Sequence, residues 1–474
     1  MMLFCSRQFL LFFSIVFVLY WALPTQRART CLLLVASYVF YASWSTWLVR
    51  LIVATATADY LLALWMENTP KPWLKRTLLV GSIAGNLGVL CYFKYANFFL
   101  DSLRASFEAG GLSLWTPTLQ VIIPLGISFY TFESINYMVD VYRGKLRAER
   151  NLGNFLLFIL FFPHLVAGPI VRAHDFLPQI QRQRVWNWTR MRWGAEFILL
   201  GLIKKLAIAD RMAWFSDPVF NDPELFRTST LWLALIAYTI QIYCDFSGYT
   251  DIAIGSALLL GYKLSRNFAM PYISRNVAEF WRRWHISLST WLRDYLFIPL
   301  GGSRGGRWRT HFNLMATMAL GGLWHGASWT FVAWGIWHGA LLCLHREFKS
   351  FSDRWPRWRA TLEHPAGIAA RVLLTLLAVM VGWVLFRATS FGDAATYLRH
   401  MFLPAAGAGV PVKGLLLIGT LGVVIVAHAA ALTELRRRVR RLPAPAYGLG
   451  YACMLFLALV LAPMKDQAFI YFQF

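Results

Sequence analysis

Two histidines stand in surroundings where an ionisable side chain is unusual. His325 lies in the apolar stretch Gly321-Gly-Leu-Trp-His-Gly-Ala-Ser-Trp329, and His285 lies in the block Phe280-Trp-Arg-Arg-Trp-His-Ile-Ser287. An ionisable residue at membrane depth faces a cavity or a partner, because leaving it unpaired in hydrocarbon is costly. His325 is therefore a candidate functional residue, and the glycines beside it permit close approach of a ligand or another helix. Composition alone favours a different interpretation of His285, as a polar residue on a basic amphipathic helix in the membrane interface.

The motif around His325 is echoed thirteen residues later by Trp337-His338-Gly339. Thirteen steps of about 100° place two side chains on nearly opposite faces of a continuous helix. The two histidines therefore cannot line one cavity unless the helix breaks between them. We assign His338 a structural role.

Asp245 and Asp251 belong to a third unusual stretch, Gln241-Ile-Tyr-Cys-Asp-Phe-Ser-Gly-Tyr-Thr-Asp251, within an apolar span. Carboxylates in such a span need ion-pair or hydrogen-bond partners. We expect those partners to be arginines of the segment 282–309. This interpretation makes both aspartates structural braces of an internal polar channel rather than acid–base catalysts.

The segment that carries His285, residues 263–309, is the least membrane-like part of the chain. Asn276 followed three residues later by Glu279 is a helix-start signal, and Pro299 before Gly301 and Gly302 is a stop signal. The pattern predicts one helix of about 20 residues between them. One face of that helix would carry Trp281, His285, Leu288, Leu292 and Tyr295, and a neighbouring face Arg282, Ile286, Ser289 and Arg293.

The composition defines the class of protein that must position these residues. The 474 residues include 46 Lys and Arg against 23 Asp and Glu, a formal charge of +23, and they are 58% hydrophobic but only 15% charged. A soluble globule of this size cannot bury so much apolar surface, and the hydrophobicity excludes disorder. The six cysteines are scattered without metal-binding spacing, so we expect neither a disulfide scaffold nor a metal site. The class that remains is an integral membrane protein.

Hydropathy predicts an all-α, polytopic protein with about ten to twelve membrane-spanning helices. The candidates are 9–23, one or two spans in 31–65, then 78–100, 119–139, 155–171, 197–208, 231–260, 312–334, 372–386, 415–431 and 447–462. We expect 9–23 to be a retained helix because it lacks a basic leader and a cleavage site. The connecting segments are short and basic, as in loops held in the cytoplasm, and they suit anionic lipid headgroups or an anionic donor rather than nucleic acid. We predict one domain, 1–474, with a catalytic core at about 230–345.

Three motifs together give the chain a family resemblance. They are Tyr243-Cys-Asp-Phe-Ser-Gly-Tyr-Thr-Asp251, the block 271–302 with its Arg282-Arg-Trp-His-Ile-Ser-Leu-Ser289, and Leu323-Trp-His-Gly-Ala-Ser-Trp329. The chain resembles the membrane-bound O-acyltransferase family, in its bacterial branch of alginate O-acetylation and teichoic-acid D-alanylation proteins. The resemblance implies helices ringed around a central tunnel, with re-entrant or interfacial helices among them. It also places the family's membrane histidine at His325 and a second functional position at His285.

The implied reaction moves an acyl group from a thioester to an oxygen acceptor. We expect His325 to be the general base, kept neutral by apolar walls that include Trp324 and Trp329. His285 would orient the donor or stabilise charge on the carbonyl oxygen, and Ser328 joins the candidate donor-binding residues. Arg282, Arg283 and Arg293 would meet phosphates of coenzyme A or of a carrier-linked phosphopantetheine. No cofactor or metal is expected to be bound, since acetyl-coenzyme A would be a substrate.

The predicted function is O-acetylation of an exported or cell-surface polysaccharide at the inner membrane. Because acetyl-coenzyme A is cytoplasmic and the polymer lies outside, we predict a periplasmic SGNH-type acetyltransferase as partner, beside the lipid bilayer, the thioester donor and the polysaccharide. Two alternatives stay open. One is D-alanyl or other acyl transfer to teichoic acid, lipid or protein. The other is a transporter or flippase whose buried polar residues line a path without chemistry.

Overall fold

The predicted all-α class is confirmed for the part of the chain that the structure describes. This computed structural model describes residues 2, 4–166, 168–409, 419, 420, 422, 426 and 443–460. Those residues form helices joined by short segments and contain no β-strand, apart from one isolated bridge between Phe226 and Ala408. The predicted span 415–431 lies almost wholly outside the described residues.

The chain divides into two compact units. The first comprises Met1–Ile198 with Thr250–Ser265, and the second Leu199–Tyr249 with Arg266–Phe474. Helices within the first unit are α1 Arg7–Ala22, α2 Gln26–Ala42, α3 Thr46–Asn68, α4 Pro72–Leu90, α5 Ala96–Ala109, α6 Ile127–Tyr142, α7 Leu152–Leu160, α8 Phe162–Leu165 and α9 Ala173–Gln181. A π-helical turn, Cys91–Tyr95, joins α4 to α5. The prediction of a single domain stays a prediction.

The second unit holds the motifs that the sequence singled out. Its helices are α11 Asp210–Asn221, α13 Val277–Arg283, α14 Ile286–Leu292, α15 Arg307–His325, α16 Trp329–Ser352, α17 Pro356–Glu363, α18 Pro365–Arg387, α19 Phe391–Phe402 and α20 Ala444–Val460. Two helices cross the division between the units, α10 Trp188–Leu202 and α12 Thr228–Leu259. Short π- and 3₁₀-helical turns occupy Ile203–Ala209, Pro223–Leu225, Pro271–Ile273 and Arg293–Phe297.

Three of the described helical segments are long and apolar enough to cross a membrane: Thr46–Asn68, Pro72–Ala109 and Pro365–Arg387. Other candidate spans are shorter or broken. The span expected at 119–139 becomes helical only at Ile127, after Pro124 and after Gly126 with its φ of +70°. The span expected at 155–171 is divided after Leu160. The number of spans and the central tunnel therefore stay predictions.

The prediction of a single helix between Asn276 and Pro299 is wrong. Its start is confirmed, because the Asn276 side chain accepts a hydrogen bond from the Glu279 amide at 2.8 Å. The helix nevertheless ends at Arg283, and a second helix begins at Ile286. The reason is competition from a distant segment: the Arg283 carbonyl accepts from the Ala269 amide, and the Ile286 amide donates to the Asn267 carbonyl, each at 2.9 Å. The two faces drawn across 281–295 therefore do not exist.

A second break separates the two Trp-His-Gly motifs. Helix α15 ends at His325 and α16 begins at Trp329, where Ser328 caps it by accepting from the Thr330 amide at 3.3 Å. The two helices pack backbone to backbone, since a Cβ on Gly322 would lie 2.1 Å from the Phe331 carbonyl oxygen. The expectation of close helix approach at the glycines is thus confirmed. The thirteen-residue argument about His338 fails, because the helix is not continuous.

Candidate active site

The two breaks bring His285 and His325 side by side. His325 is the last residue of α15, and His285 occupies the turn between α13 and α14. Their ring centroids are 6.3 Å apart, and their exposed fractions are 0% and 4% for His285 and His325. Two imidazoles at this separation are close enough to act on one reacting group.

Aromatic side chains enclose the pair. The rings of Trp324 and Trp334 each lie 5.0 Å from that of His325, and Phe386 lies at 5.4 Å. Phe246 packs edge-on against His285 at 4.7 Å. The site is therefore apolar around its two polar rings, which strengthens electrostatic interactions inside it.

Trp329 was expected in the apolar wall and Ser328 at the donor, and the structure gives the surroundings of both. Trp329 is 53% exposed, and Ser328 is the N-cap of α16. Trp334 and Phe386, which the sequence analysis did not name, supply rings against His325 instead. Phe386 lies 61 residues after His325, too far along the chain for a local signal, whereas Trp334 lies nine residues after it, beyond the break between α15 and α16.

The side chain of Asn267 determines which nitrogen of His285 carries the proton. Asn267 Oδ1 accepts from the Ser287 amide at 3.2 Å and from the Ser287 hydroxyl at 3.0 Å, so this atom is the amide oxygen. His285 Nδ1 lies 3.1 Å from the same oxygen and must donate to it. A neutral imidazole that donates through Nδ1 carries a lone pair on Nε2. His285 Nε2 has no hydrogen-bond partner among the described residues and is buried.

Backbone strain and burial mark His285 as a specialised position. Its φ of +42° lies in the left-handed region, which costs a residue with a side chain about 1–3 kcal/mol and recurs at functional sites. The flanking helices α13 and α14 have seven residues each and are too short to span a membrane. Complete burial lowers the pKa of His285 from 6.5 to about 3, so the ring is neutral at pH 7.

His338 lies on α16, buried, with its ring stacked on Phe280 at 6.0 Å and edge-on to Trp281 at 5.2 Å. Trp334 lies 5.0 Å from His338 and equally 5.0 Å from His325. The tight aromatic packing suits the structural role assigned to His338.

A buried lysine accompanies the predicted polar brace. Lys205 Nζ lies 2.7 Å from Asp245 and 2.8 Å from Asp210, with all three side chains nearly inaccessible. The sequence analysis pointed instead to arginines of 282–309 and named neither Lys205 nor Asp210. Asp251 is a half-buried residue of α12 in the first unit, and its role as a brace stays a prediction.

The three arginines expected at the donor phosphates have different surroundings. Arg283 pairs with Glu279 at 2.8 Å and donates to the Ala269 carbonyl. Arg293 pairs with Asp294 at 2.7 Å. Arg282 lines a basic cavity without a carboxylate partner among the described residues. Within the same residues, no group of three or more His, Cys, Asp or Glu is placed to hold a metal.

Comparisons with known proteins identify the family of the chain. The sequence model described as "MBOAT, membrane-bound O-acyltransferase family" matches residues 145–381. The chain is 44% identical over 405 residues to the probable alginate O-acetylase AlgI of Azotobacter vinelandii, covering 85% of this chain and 78% of that protein. It is 35% identical over 395 residues to the peptidoglycan O-acetyltransferase of Helicobacter pylori, covering 78% and 73%.

A more distant likeness is to the teichoic acid D-alanyltransferase of Bacillus subtilis, at 29% identity over 295 residues, or 58% of this chain and 71% of that one. All three relatives carry the names of acyl-transferring enzymes. The interpretation of the chain as a transporter without chemistry is therefore set aside. The protein belongs to the membrane-bound O-acyltransferase family and is an acyltransferase.

Proposed function

We propose that this chain transfers an acetyl group from a thioester to a hydroxyl oxygen, for O-acetylation of an exported or cell-surface polysaccharide. The observation that carries the proposal is the buried pair His285 and His325, 6.3 Å apart within aromatic walls. Relatives named for alginate and peptidoglycan O-acetylation, at 44% and 35% identity, support a polysaccharide acceptor.

The reaction needs a proton acceptor and a proton donor. The hydroxyl oxygen attacks the carbonyl carbon of the thioester while its proton passes to an imidazole nitrogen. The C–S bond then breaks, and the proton goes to the leaving thiolate. Positioned proton transfer of this kind contributes about 10²–10⁴-fold in rate.

The hydrogen bonds at His285 favour it as the proton acceptor. Its Nδ1–H is held by Asn267, so the lone pair on Nε2 is available, and the same hydrogen bond steadies the imidazolium that forms. His325 would then donate to the carbonyl oxygen, where negative charge develops. This assignment reverses the roles expected from the sequence, in which His325 is the base and His285 assists.

The location of donor and acceptor follows from charge. Acetyl-coenzyme A is too charged to cross a bilayer, so we propose that the thioester arrives from the cytoplasm and that only the acetyl group passes through the inner membrane. A periplasmic SGNH-type acetyltransferase would complete the transfer onto the sugar. Transfer of D-alanine from a carrier-linked thioester is the second candidate, supported by the 29% identical teichoic acid D-alanyltransferase.

Replacement of His325 tests the proposal. In His325→Ala, we expect polysaccharide acetylation in cells to fall at least about 100-fold at unchanged protein level, because one of two proton-transfer groups is lost. His364→Asn is the matched control: His364 is an exposed cap of α18, and asparagine retains capping ability. Unchanged acetylation in His325→Ala would remove this ring from the mechanism, and loss of D-alanine rather than acetate from the polymer would favour the second candidate.

A further inference from the structure

A basic cavity of about 420 Å³ lies within the second unit, between residues of α13, α15, α16, α17 and α18. Five cationic side chains and two carboxylates line it. The cations are Arg282, Arg346, Lys349, Arg359 and Arg371, and the carboxylates are Asp353 and Glu363. Neither imidazole of the candidate active site belongs to this lining.

The ion pairs leave three of these cations uncompensated. Glu363 is paired with Arg371 at 3.4 Å, and Asp353 with Arg359 at 3.9 Å. Arg282, Arg346 and Lys349 have no carboxylate partner among the described residues. Three like charges around one cavity repel one another, and an anion bound among them would relieve that repulsion.

The half-buried side chain of His345 shows that the positive charges converge. Its imidazole interacts electrostatically with the positive charges of Arg371, Lys349 and Arg282, which belong to three different helices. Charges that act together on one cavity residue make a multidentate site for a phosphate group, since guanidinium and ammonium groups donate to several phosphate oxygens at once.

Exposed apolar residues lie on and between two of the helices that line the cavity. Phe348 lines it and is exposed, and Leu344, Phe351, Trp355 and Trp358 are exposed on α16, on α17 and in the turn between them. Helix α17 buries none of its residues. Aromatic rings beside basic residues are typical of the level of the lipid headgroups, where the rings meet the membrane and the cations meet phosphate.

We propose that this cavity binds the phosphate of an anionic phospholipid headgroup, with Arg282, Arg346 and Lys349 as its ligands. The exposed side chains Leu344 and Phe348 would lie along the acyl chains. Phosphates of a soluble thioester donor share the chemistry of the headgroup, but the exposed apolar residues of α16 and α17 favour a lipid. The inference is independent of the proposed function, because lipid binding requires no acyl transfer.

Lipid retention by the purified full-length protein tests the proposal. Protein in bilayer discs of equimolar phosphatidylglycerol and phosphatidylcholine is released for native mass spectrometry, and the bound lipids are counted. The wild type should retain phosphatidylglycerol preferentially. Arg346→Ala/Lys349→Ala should lower that preference about 10- to 30-fold, as expected for two basic residues at a headgroup.

Arg354→Ala/Arg357→Ala is the matched control, since it removes the same charge from exposed neighbours that do not line the cavity. It should retain the wild-type preference. Equal retention of both lipids by the wild type, or an equal loss in both double variants, overturns the proposal. Displacement of phosphatidylglycerol by added coenzyme A, with coenzyme A binding lost only in Arg346→Ala/Lys349→Ala, would assign the cavity to the donor and overturn the lipid assignment.

Discussion

A change of Asn267 to aspartate should make acyl transfer sensitive to acid. The substitution keeps an oxygen for the three hydrogen bonds that converge on Asn267 Oδ1, from His285 Nδ1 at 3.1 Å, the Ser287 amide at 3.2 Å and the Ser287 hydroxyl at 3.0 Å. It adds a negative charge beside the imidazole. The charge stabilises the imidazolium and raises the pKa of His285.

The size and sign of the effect follow from the structure. Burial holds the pKa of His285 at about 3, so the ring of the wild type is neutral throughout the range of a practical assay. An opposite charge in contact with a titrating group shifts its pKa by about 1–3 units. Because only the neutral ring can accept a proton, Asn267→Asp should lose activity as the pH falls through about 4–6. Near pH 8 its rate should stay within about tenfold of the wild type, because the base is present and stronger.

The assay is release of free thiol from an acetyl thioester by purified protein between pH 4 and 8. Ser287→Ala is the control, since it removes one donor to the same oxygen but leaves the bond between Asn267 and His285. A new acid limb in Asn267→Asp, absent from Ser287→Ala, is the expected result. An Asn267→Asp profile that parallels the wild type down to pH 4 would refute His285 as the proton acceptor, because a residue with only a structural role would change the rate without moving the profile.

Two further predictions concern stability, measured by thermal melts in detergent. Lys205→Met should lower the free energy of unfolding by about 3–5 kcal/mol, because Asp210 and Asp245 lose their shared cation. Adding Asp245→Asn should recover part of the loss, and a double variant no more stable than the single one would contradict this. Gly335→Ala should cost about 1–3 kcal/mol, because its Cβ would lie 2.2 Å from the Met318 carbonyl oxygen, whereas Gly88→Ala, with open space at its Cβ, should not destabilise the protein. Equal melting temperatures for the two glycine variants would mean that α15 and α16 do not need this contact.

Local signals in the sequence were sufficient to predict several features of the structure. The start of α13 follows from Asn276 and Glu279, whose hydrogen bond lies within one helical turn. The glycines beside His325 indicated close helix approach, which Gly322 makes with Phe331. These features depend on residues within about ten positions of one another, so spacing alone is informative.

The features that sequence reasoning missed depend on distant partners. Asn267 lies 18 residues before His285, and Lys205 lies 40 residues before Asp245. An asparagine or a lysine in an apolar chain has no periodicity that points to one partner. The break between α13 and α14 has the same origin, because the signals of Asn276 and Pro299 describe a helix that a tertiary contact interrupts.

The conformation of His285 is stabilised from several directions, which favours a role in function over an accident of packing. Met270 and His285 are the two non-glycine residues with positive φ in the part of the chain that the structure describes, at 51° and 42°. Both lie beside the two paired segments, in which the Ala269 amide donates a hydrogen bond to the Arg283 carbonyl and the Ile286 amide donates one to the Asn267 carbonyl. Strained conformations persist when surrounding bonds over-determine them. Here those bonds turn the backbone sharply and, through Asn267, leave the lone pair on Nε2 of the buried imidazole without a hydrogen-bond partner among the described residues. A residue needed only for packing could have continued the helix, as the flanking sequence predicts.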